Sequence, residues 1–477
     1  MNFHRLLSAA ILFSGLTGTA WSAAKYPFPR GLTYKYGTKA GGTTAQGAAI
    51  VTATGSEIQT AFNNWKSSQL DSSGNTMRVK FDDPNYTVSE GIGYGMLIMV
   101  YMDNATNNTQ GQFDKLWAYY NKYLNGNKVM HWKIQGFSGV NQQNGATDAE
   151  LDVALALLMA YKQWGNASYL TDAKNLISVI WSKEVANNRL KPGDAWDDYK
   201  NPSYFSPGAL ELFKLVDANG WSSVMTNEYA MIKANQNTTT GITSDWCQTS
   251  GSAVSGKESK QLGMNYDGVR TPWRLAIGYA WYGHAEAKAI NDKLAAWLTS
   301  TSSPVAGSPA KVMDGYTQSG TATGKFNVVT FVGAFGAAGM SNTANQTWLN
   351  NSYYRTRVGA DGTGYYHASL KVLYQLLMSG NFNNFWDDAS MVSGVSSRQT
   401  LPEVKVSRQG MALQIEAGSL SDLRVNLVDL KGSTLRTGTA DNARLSLDLS
   451  GLSQGAYALQ LKSSKGSEVR TFALTGN

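Results

Sequence analysis

Cysteine is nearly absent from this sequence: Cys247 is the only one among 477 residues. A single cysteine can form no intrachain disulfide, so we interpret Cys247 as a buried or incidental thiol and expect core burial to hold the fold. The four histidines, His4, His131, His284 and His367, are scattered along the chain. Because no Cys/His cluster has the spacing of a zinc site, the sequence predicts neither a metal nor a cofactor.

Charge is also scarce, since only 16% of the residues are Asp, Glu, Lys or Arg. The formal net charge is +7, but no basic run stands out along the chain. Proteins that bind nucleic acids concentrate Lys and Arg on one face or in one segment. We therefore expect no nucleic-acid partner.

Long hydrophobic runs are missing as well. The apolar stretch at residues 6–16 is shorter than the roughly 20 residues that a membrane span needs. It follows Arg5 and precedes Ser22-Ala23-Ala24, which is the pattern of a secretory signal with its cleavage site. Residues 1–24 are thus predicted to be a signal peptide, and the protein to be secreted or carried at the cell surface without a membrane span.

Aromatic residues, in contrast, are abundant, with 14 Trp and 24 Tyr. Many of them will belong to a core, as aromatic residues usually do. In a secreted chain with little charge, such an excess also suits a cleft in which flat rings stack on sugars.

The hydrophobic pattern divides the chain into two parts. Residues 25–388 show apolar residues at helical spacing, separated by loops rich in Gly, Ser, Asn and Thr, which predicts an all-α domain of helical hairpins in a closed ring. Residues 389–400 are small and polar and are interpreted as a linker. Residues 401–477 alternate apolar with polar residues between turn signals, which predicts a small β-sandwich.

The stretch VSEGIGYGMLI, residues 88–98, places Glu90 near a predicted helix start. Ser89 is the expected N-cap, and a lone acidic residue there could simply complement the helix dipole. Gly91, Gly93 and Gly95 follow at once, although glycine costs a helix interior roughly 0.5–1 kcal/mol relative to alanine. The glycines indicate that something approaches this backbone closely.

A second acidic helix start lies in TDAELDV, residues 147–153. Thr147 and Glu150 have the spacing of a capping box, which would explain Glu150 structurally. The cap does not require Asp148, and Asp152 lies one turn farther on and could share its face.

A third carboxylate, Asp267, precedes the helix start that Thr271 and Pro272 predict. An Asp267–Arg270 ion pair in the loop is the structural alternative. If the helices surround one cleft, Glu90, Asp148 and Asp267 converge at one end. Hydrolysis of a glycosidic bond needs such a set, with one protonated acid and one ionised carboxylate.

These motifs resemble glycoside hydrolase family 8. ATDAELDVALALLMAYKQW follows the signature helix of that family, except that Glu150 replaces an Asp and Val153 an Ile or Met. SEGIGYGM is similar to the segment that carries the acid, with Ile92 at a polar position, and NYDGVRTPWR is similar to the loop that carries the base. The segments MHWKI, NPSYFSP, VVTFVGAFGAAGM and YYHASLKVLYQLLMSGNF extend the resemblance across residues 25–388.

The resemblance implies an (α/α)6 barrel with an open cleft at one end. It implies that Glu90 is the general acid, that Asp267 is the base that activates water and that Asp148 grips the distorted sugar. Arg270 would orient Asp267, and Tyr266 would line the same spot. The expected stacking platforms are Trp132, Trp196, Tyr204, Tyr365 and Tyr366. The glycines after Glu90 would let the cleft floor, and the sugar, come close to the helix.

Inversion of the anomeric carbon is also implied by the resemblance. In inverting enzymes the two carboxyl groups lie about 6.5–9.5 Å apart, rather than about 5–5.5 Å. The expected substrate is a β-1,4-glucan, cleaved within the chain, as in cellulose or mixed-linkage β-glucan.

Other interpretations stay open. Xylan or chitosan could replace the glucan within the same family. An inactive polysaccharide-binding protein and a polysaccharide lyase are the alternatives from other classes, since a fold does not fix a function.

The C-terminal part resembles a type IX secretion sorting domain. VNLVDLKGSTLR and DLSGLSQGAYALQLKSSKG follow its pattern, although the basic ending often seen there is missing. The resemblance implies secretion machinery as a partner. An accessory β-sandwich is the alternative.

Overall fold

A computed structural model describes residues 23–50, 55–254, 262–360, 362–386, 391–392, 404–428, 434–440, 443–453, 455–463 and 466–474. The chain divides into two compact units, Met1–Val392 and Ser393–Asn477. Of the predicted signal peptide, residues 1–22 lie outside the described part. So does the predicted linker, apart from Met391–Val392.

The described part of the first unit contains twelve α-helices. They are α1 (Ser56–Gln69), α2 (Ser89–Met102), α3 (Gln110–Lys122), α4 (Thr147–Trp164), α5 (Ala167–Glu184), α6 (Pro207–Val216), α7 (Trp221–Asn235), α8 (Thr271–Tyr282), α9 (Ala285–Thr299), α10 (Val329–Ala338), α11 (Gln346–Val358) and α12 (Tyr365–Met378). Short 3-10 helices span Pro202–Tyr204, Gly268–Arg270, Pro309–Lys311, Gly339–Ser341 and Thr343–Asn345.

Even-numbered and odd-numbered helices differ in how they are buried. Every residue of α2 is buried except Glu90, whose side chain is still only 18% exposed, and nearly all of α4 is buried as well. In contrast, α1 and α3 bury only the residues of one helical face. A helix that is apolar all round belongs in an interior, whereas an amphipathic helix covers a core from outside. The even helices therefore form an inner layer and the odd helices an outer one.

The inner helices form a closed ring. Going round it, α2 contacts α4, α4 contacts α6, and α6, α8, α10 and α12 follow until α12 contacts α2 again. Each outer helix packs on an inner neighbour: α3 on α2, α5 on α4, α7 on α6, α9 on α8, α11 on α10 and α1 on α12. This double ring is an (α/α)6 barrel, and the fold class predicted for the first domain is confirmed.

Short strands lie in the loops of the first unit. They are β1 (Thr33–Tyr34), β2 (Gly42–Thr43), β3 (Ala49–Ile50), β4 (Leu70–Ser73), β5 (Thr76–Val79), β6 (Tyr86–Val88), β7 (Lys133–Gln135), β8 (Gly139–Gln142), β9 (Val185–Ala186), β10 (Arg189–Leu190) and β11 (Met391–Val392). The pairs β1–β11, β2–β3, β4–β5 and β9–β10 and the three-stranded sheet β6–β7–β8 are all antiparallel. The β6 strand runs directly into α2 and thereby sets the position of Glu90.

The second unit is built from antiparallel strands. They are β12 (Lys405–Gln409), β13 (Ala412–Glu416), β14 (Arg424–Val428), β15 (Thr434–Thr439), β16 (Arg444–Asp448), β17 (Gly455–Ser463) and β18 (Gly466–Leu474). One sheet has the order β12–β13–β16 and the other β15–β14–β17–β18. Leu413 and Leu447 of the first sheet share a buried cluster with Val425 and Leu459 of the second. This arrangement is the predicted small β-sandwich.

Candidate active site

The inner helices begin at the same end of the barrel, and the site lies there. Glu90 is in the first turn of α2, Asp148 in the first turn of α4, and Tyr365 is the first residue of α12. Asp267 immediately precedes the short helix that leads into α8. Because helix N-termini carry partial positive charge, this end of the ring favours negative side chains.

Arg270 is the central cation of the site and is 1% exposed. Its Nη1 forms a short ion pair with Oε2 of Glu90 and donates to Oδ2 of Asp148 at 2.5 Å. The expected orientation of Asp267 by Arg270 is indirect: Nη2 lies 3.9 Å from Oδ1, and Nε donates to the backbone carbonyl of Asp267 at 3.1 Å. Arg270 thus mainly joins Glu90 to Asp148.

Glu90 combines burial with close charged neighbours. Burial is the largest influence and raises the pKa of its carboxyl to about 7, and the charges of Asp148 and Asp267 act in the same direction. Arg270 and the hydroxyl of Tyr365, which donates to Oε1 at 2.6 Å, act to lower the same pKa. Since burial prevails, Glu90 keeps much of its proton at neutral pH, as a general acid must.

Asp267 has a different environment. Its side chain is 47% exposed, and Trp246 Nε1 donates to its Oδ2 at 3.0 Å. The loop that carries it is held from below by Asp245, whose Oδ1 accepts from the backbone N–H groups of Asn265 at 2.6 Å and Gly268 at 2.7 Å. Burial, with the charge of Asp267 as a smaller contribution, raises the pKa of Asp245 to about 8.

The expected aromatic platforms divide by exposure. Trp196 is 37% and Tyr266 39% exposed, so both can offer a ring face to a ligand. Trp132 and Tyr204 are half-buried, and the guanidinium of Arg270 lies 5.4 Å from the centre of the Tyr204 ring. The carbonyl of Trp132 accepts from the N–H of Ser89, which places Trp132 beside the start of α2.

Tyr365 and Tyr366 play different parts. Tyr365 is 1% exposed and reaches Glu90 through its hydroxyl, so it acts on the carboxyl group and offers no ring face. Tyr366 is half-buried, and its hydroxyl donates to the carbonyl of Tyr266 at 2.5 Å.

A cavity of about 520 Å³ opens between these groups. It is lined by Phe81, Asp82, Glu90, Tyr266, Asp267, Thr363, Tyr365, Tyr366 and His367. The structure therefore brings Glu90 and Asp267 to one cavity. Arg270 contacts both Asp148 and Glu90 and so links them. Trp246 donates to Asp267 and packs against Trp196 and Tyr204.

Two expected helix caps are wrong. Ser89 is the first residue of α2 rather than its N-cap, because β6 continues to Val88. Thr147 is likewise inside α4, and no side chain caps that helix. Glu150 instead accepts a hydrogen bond from the hydroxyl of Tyr120 at 3.0 Å, deep in the barrel wall.

The glycines of α2 let the cleft floor come close to the helix, as expected, because Tyr365 lines the cavity and packs against Gly91. A Cβ at Gly91 would lie 2.9 Å from Cε2 of Tyr365, and one at Gly93 would lie 3.0 Å from Cβ of Asp152. The glycines therefore make room for the protein's own side chains. At Gly91 this room lets the Tyr365 ring come close enough to α2 for its hydroxyl to reach Glu90.

Sequence reasoning missed a second buried ion pair. Arg274 makes a two-pronged contact with Asp152, at 2.7 Å from Nη1 to Oδ1 and 2.8 Å from Nη2 to Oδ2. Asp152 follows Asp148 by four residues, and Arg274 follows Arg270 by four. Two acids and two arginines one helical turn apart were a readable signal that α4 faces α8.

Asp245 and Trp246 were missed too, since they lie in a loop without periodicity. The only sequence signal there is an Asp-Trp dipeptide between polar residues. In the described ranges, no group of three or more His, Cys, Asp or Glu side chains could hold a metal ion. No helix in the described part of the chain is long and apolar enough to cross a bilayer.

A carboxyl group whose pKa is raised to about 7 and a half-exposed carboxyl group face one aromatic-lined cavity at the end of an (α/α)6 barrel. This arrangement is the one expected of a glycoside hydrolase. The comparison with known families agrees. Residues 40–380 match the profile of glycosyl hydrolases family 8, and residues 410–474 match the secretion system C-terminal sorting domain. The chain belongs to glycosyl hydrolases family 8, and with its sorting domain it is a secreted or cell-surface protein.

Similar proteins cover most of the chain. Endoglucanase 2 of Ruminiclostridium josui is 34% identical over 403 residues, which are 81% of this chain and 83% of the relative. The beta-glucanase of Niallia circulans is 33% identical over 387 residues, 76% of this chain and 92% of the relative.

Solved structures show the same barrel. The apo structure of a beta-1,3-1,4-glucanase from Paenibacillus sp. X4 has a TM-score of 0.68 and 31% identity, and covers 75% of this chain and 99% of that chain. Rex8A of Paenibacillus barcinonensis, complexed with xylose, has a TM-score of 0.58 at 17% identity over 69% of this chain and 93% of that chain. This second likeness concerns the fold alone.

Proposed function

We propose that this enzyme cleaves β-1,4-glucosidic bonds within cellulose or mixed-linkage β-glucan, with inversion at the anomeric carbon. The observation that carries the proposal is the contrast between Glu90 and Asp267 at one cavity. Burial raises the pKa of Glu90 to about 7, whereas Asp267 is 47% exposed and accepts a hydrogen bond from Trp246. One group is suited to donate a proton and the other to accept one.

In the proposed reaction, Glu90 donates its proton to the glycosidic oxygen as the bond to the anomeric carbon breaks. Asp267 takes a proton from a water molecule, whose oxygen attacks the anomeric carbon from the opposite face. After the reaction Glu90 is ionised and Asp267 is protonated, and exchange with solvent restores both. The ion pair with Arg270 stabilises the Glu90 carboxylate that the reaction forms.

Asp148 is proposed to bind the sugar at the point of cleavage. Its Oδ2 accepts from Arg270, while its Oδ1 has no hydrogen-bond partner in the described residues. A buried carboxylate oxygen without a donor is costly, and a sugar hydroxyl would supply one. Trp196 and Tyr266 are proposed as ring platforms, with Trp132, Tyr204 and Tyr366 completing the walls.

The glucan specificity follows the similar proteins. The relatives are named endoglucanase or beta-glucanase, and the similar structure at 31% identity is a beta-1,3-1,4-glucanase. Xylan and chitosan stay the alternative substrates, because the walls of the cavity rather than its carboxylates select the sugar. An inactive polysaccharide-binding protein would require the loss of a catalytic carboxyl group, and all three are present.

The test measures reducing-sugar release from carboxymethylcellulose, mixed-linkage β-glucan, xylan and chitosan. We expect release from the glucans, and a loss of roughly 10²–10⁴-fold in kcat for Glu90→Gln and for Asp267→Asn. Proton NMR of the first product should show the α-anomer. Release only from xylan or chitosan would overturn the substrate, a β-anomer would overturn inversion, and binding without release would favour the inactive binder.

A further inference from the structure

Trp246 is the group that holds the carboxylate of Asp267. Its indole Nε1 donates to Oδ2 at 3.0 Å, whereas the nearest guanidinium nitrogen, Nη2 of Arg270, lies 3.9 Å from the other oxygen, Oδ1. The two oxygens of Asp267 therefore have different environments, since only Oδ2 accepts a directed hydrogen bond from a described side chain. The side chain is 47% exposed and lines the cavity.

The indole itself is fixed from two sides. The backbone after it is held, since Ser244 Oγ donates to the Trp246 carbonyl at 2.8 Å and Cys247 exchanges two 2.9 Å backbone hydrogen bonds with Lys200. The backbone before it is held by the N–H of Asp245, which donates to the carbonyl of Gly263 at 2.8 Å. The ring lies between Trp196, at 5.5 Å between ring centres, and Tyr204, at 6.1 Å. A donor held in this way is pre-organised and loses little entropy on forming its hydrogen bond.

We propose that Trp246 is a positioning residue for the hydrolytic reaction: it fixes Oδ2 of Asp267 so that Oδ1 takes the proton from the attacking water. This inference rests on the proposed role of Asp267 as the base. No second directed donor to the Asp267 carboxylate is present in the described residues.

Trp246 also connects Asp267 with the wall of the cleft, because it packs against Trp196. Trp196 is 37% exposed and packs on Trp246, so a sugar stacked on Trp196 would press on the ring that holds Asp267. Trp196 itself makes no hydrogen bond to Asp267. The two neighbouring tryptophans thus offer a matched pair, in which one ring binds substrate and the other positions the base.

The experiment compares full-length wild type with Trp246→Phe, which keeps a ring and removes the N–H donor. We expect kcat on mixed-linkage β-glucan to fall roughly 10- to 100-fold, as for a lost hydrogen bond to a charged group, with little change in KM. A lost positioning contact should lower kcat and leave the dissociation constant of a cello-oligosaccharide unchanged, whereas a lost contact with the substrate would weaken binding. Trp196→Phe, which reduces the exposed ring at the same wall and removes no donor to Asp267, is the control and should raise KM.

Two further variants separate the possible failures. In an Asp267→Asn background, Trp246→Phe should cause no further loss of kcat and no change in the dissociation constant of a cello-oligosaccharide. If Trp246→Phe raises KM alone, or lowers the Tm and leaves kcat unchanged, the positioning role is wrong. If Asp267→Asn stays active, the proposed base is wrong. If Asp267→Asn is inactive but Trp246→Phe behaves like wild type, the base is right and the positioning role of Trp246 is wrong.

Discussion

Glu90 shows how one side chain can sit beside a cation and still retain a proton. Arg270 forms an ion pair with it, and an ion pair alone would favour the charged carboxylate. Burial works against this, and so do Asp148, which shares the same guanidinium, and Asp267. The negative charge of Asp148, beside the same guanidinium, offsets part of the attraction that Arg270 exerts on Glu90. Burial therefore decides the protonation of Glu90.

Tyr365→Phe should change the pH range of the enzyme. The Tyr365 hydroxyl donates to Oε1 of Glu90 and lowers the pKa of that carboxyl, so removing the hydroxyl should raise it. Since the acid must be protonated, the alkaline limb of the kcat/KM profile should move to higher pH by about half a unit to one unit. Steady-state kinetics from pH 5 to pH 9 checks this.

Tyr366→Phe is the matched control for that measurement. The Tyr366 hydroxyl donates to the carbonyl of Tyr266 and not to Glu90, so the variant should alter KM and leave the alkaline limb in place. An alkaline limb that moves to lower pH in Tyr365→Phe would contradict the account of Glu90.

The candidate site could be read from the sequence only where its residues lie at helix starts. Glu90, Asp148 and Asp267 were placed at one end of the barrel by this argument, and the structure brings them together. Trp246 could not be found, because the contact that matters joins two loops 21 residues apart. The residues around Trp246 in the sequence do not indicate that its indole N–H will reach Asp267.

At the scale of elements, α4 and α5 place two acids against each other. Glu150 on α4 and Glu184 at the end of α5 are both fully buried. Burial, with the charge of Glu184 as the next cause, raises the pKa of Glu150 well above its usual range. Burial, followed by the charge of Asp194, raises the pKa of Glu184 to about 8. The local sequence suggested a capping box here, because the pattern of α4 alone carries no information about α5.

Glu184→Gln should make the barrel more stable at alkaline pH. A carboxyl whose pKa is higher in the folded state holds more protons there, so the free energy of unfolding falls as pH rises from about 4.5 to about 8. The amide does not ionise, so the variant should gain about 1–3 kcal/mol over wild type at pH 8 and much less at pH 5.

Denaturant titrations followed by tryptophan fluorescence check this, since all 14 tryptophans precede residue 387 and report on the first unit. Glu286→Gln, at the partly exposed first turn of α9, is the control and should show no such pH-dependent gain. A gain for Glu184→Gln that is equal at pH 5 and pH 8 would show that the burial of its charge is not the cause.

At the scale of the whole molecule, the two units have separate hydrophobic cores. The prediction of two domains rested on the spacing of apolar residues, which changes from helical periodicity in the first unit to strand alternation in the second. The closed order of the ring was harder to predict, since it depends on α12 returning to α2 across the whole length of the barrel. The family resemblance predicted the closed ring of helices, and the periodicity of apolar residues alone did not give its order.

A chain shortened to end at Val392 should remain active. Every residue proposed for catalysis or binding lies in the first unit, and that unit has its own core. We expect kcat/KM on mixed-linkage β-glucan to stay within about twofold of the full-length value, as for independent domains. A chain ending at Trp386, which also lacks β11, should have a lower Tm. A tenfold loss of activity on ending at Val392 would show that the second unit contributes to the site.

The pairing of β1 with β11 has a consequence for how this barrel can be encoded. Thr33 lies opposite Val392 and Tyr34 opposite Met391, and the ring of Tyr26 stacks on that of Phe385. The first and last described segments of the first unit are therefore neighbours. Neighbouring ends are what circular permutation requires. A ring of six helix pairs has no first member, and the same adjacency would result if the gene began at another pair. Which helix pair comes first in the sequence is therefore set by gene order, and the closed ring of helices does not require a particular one.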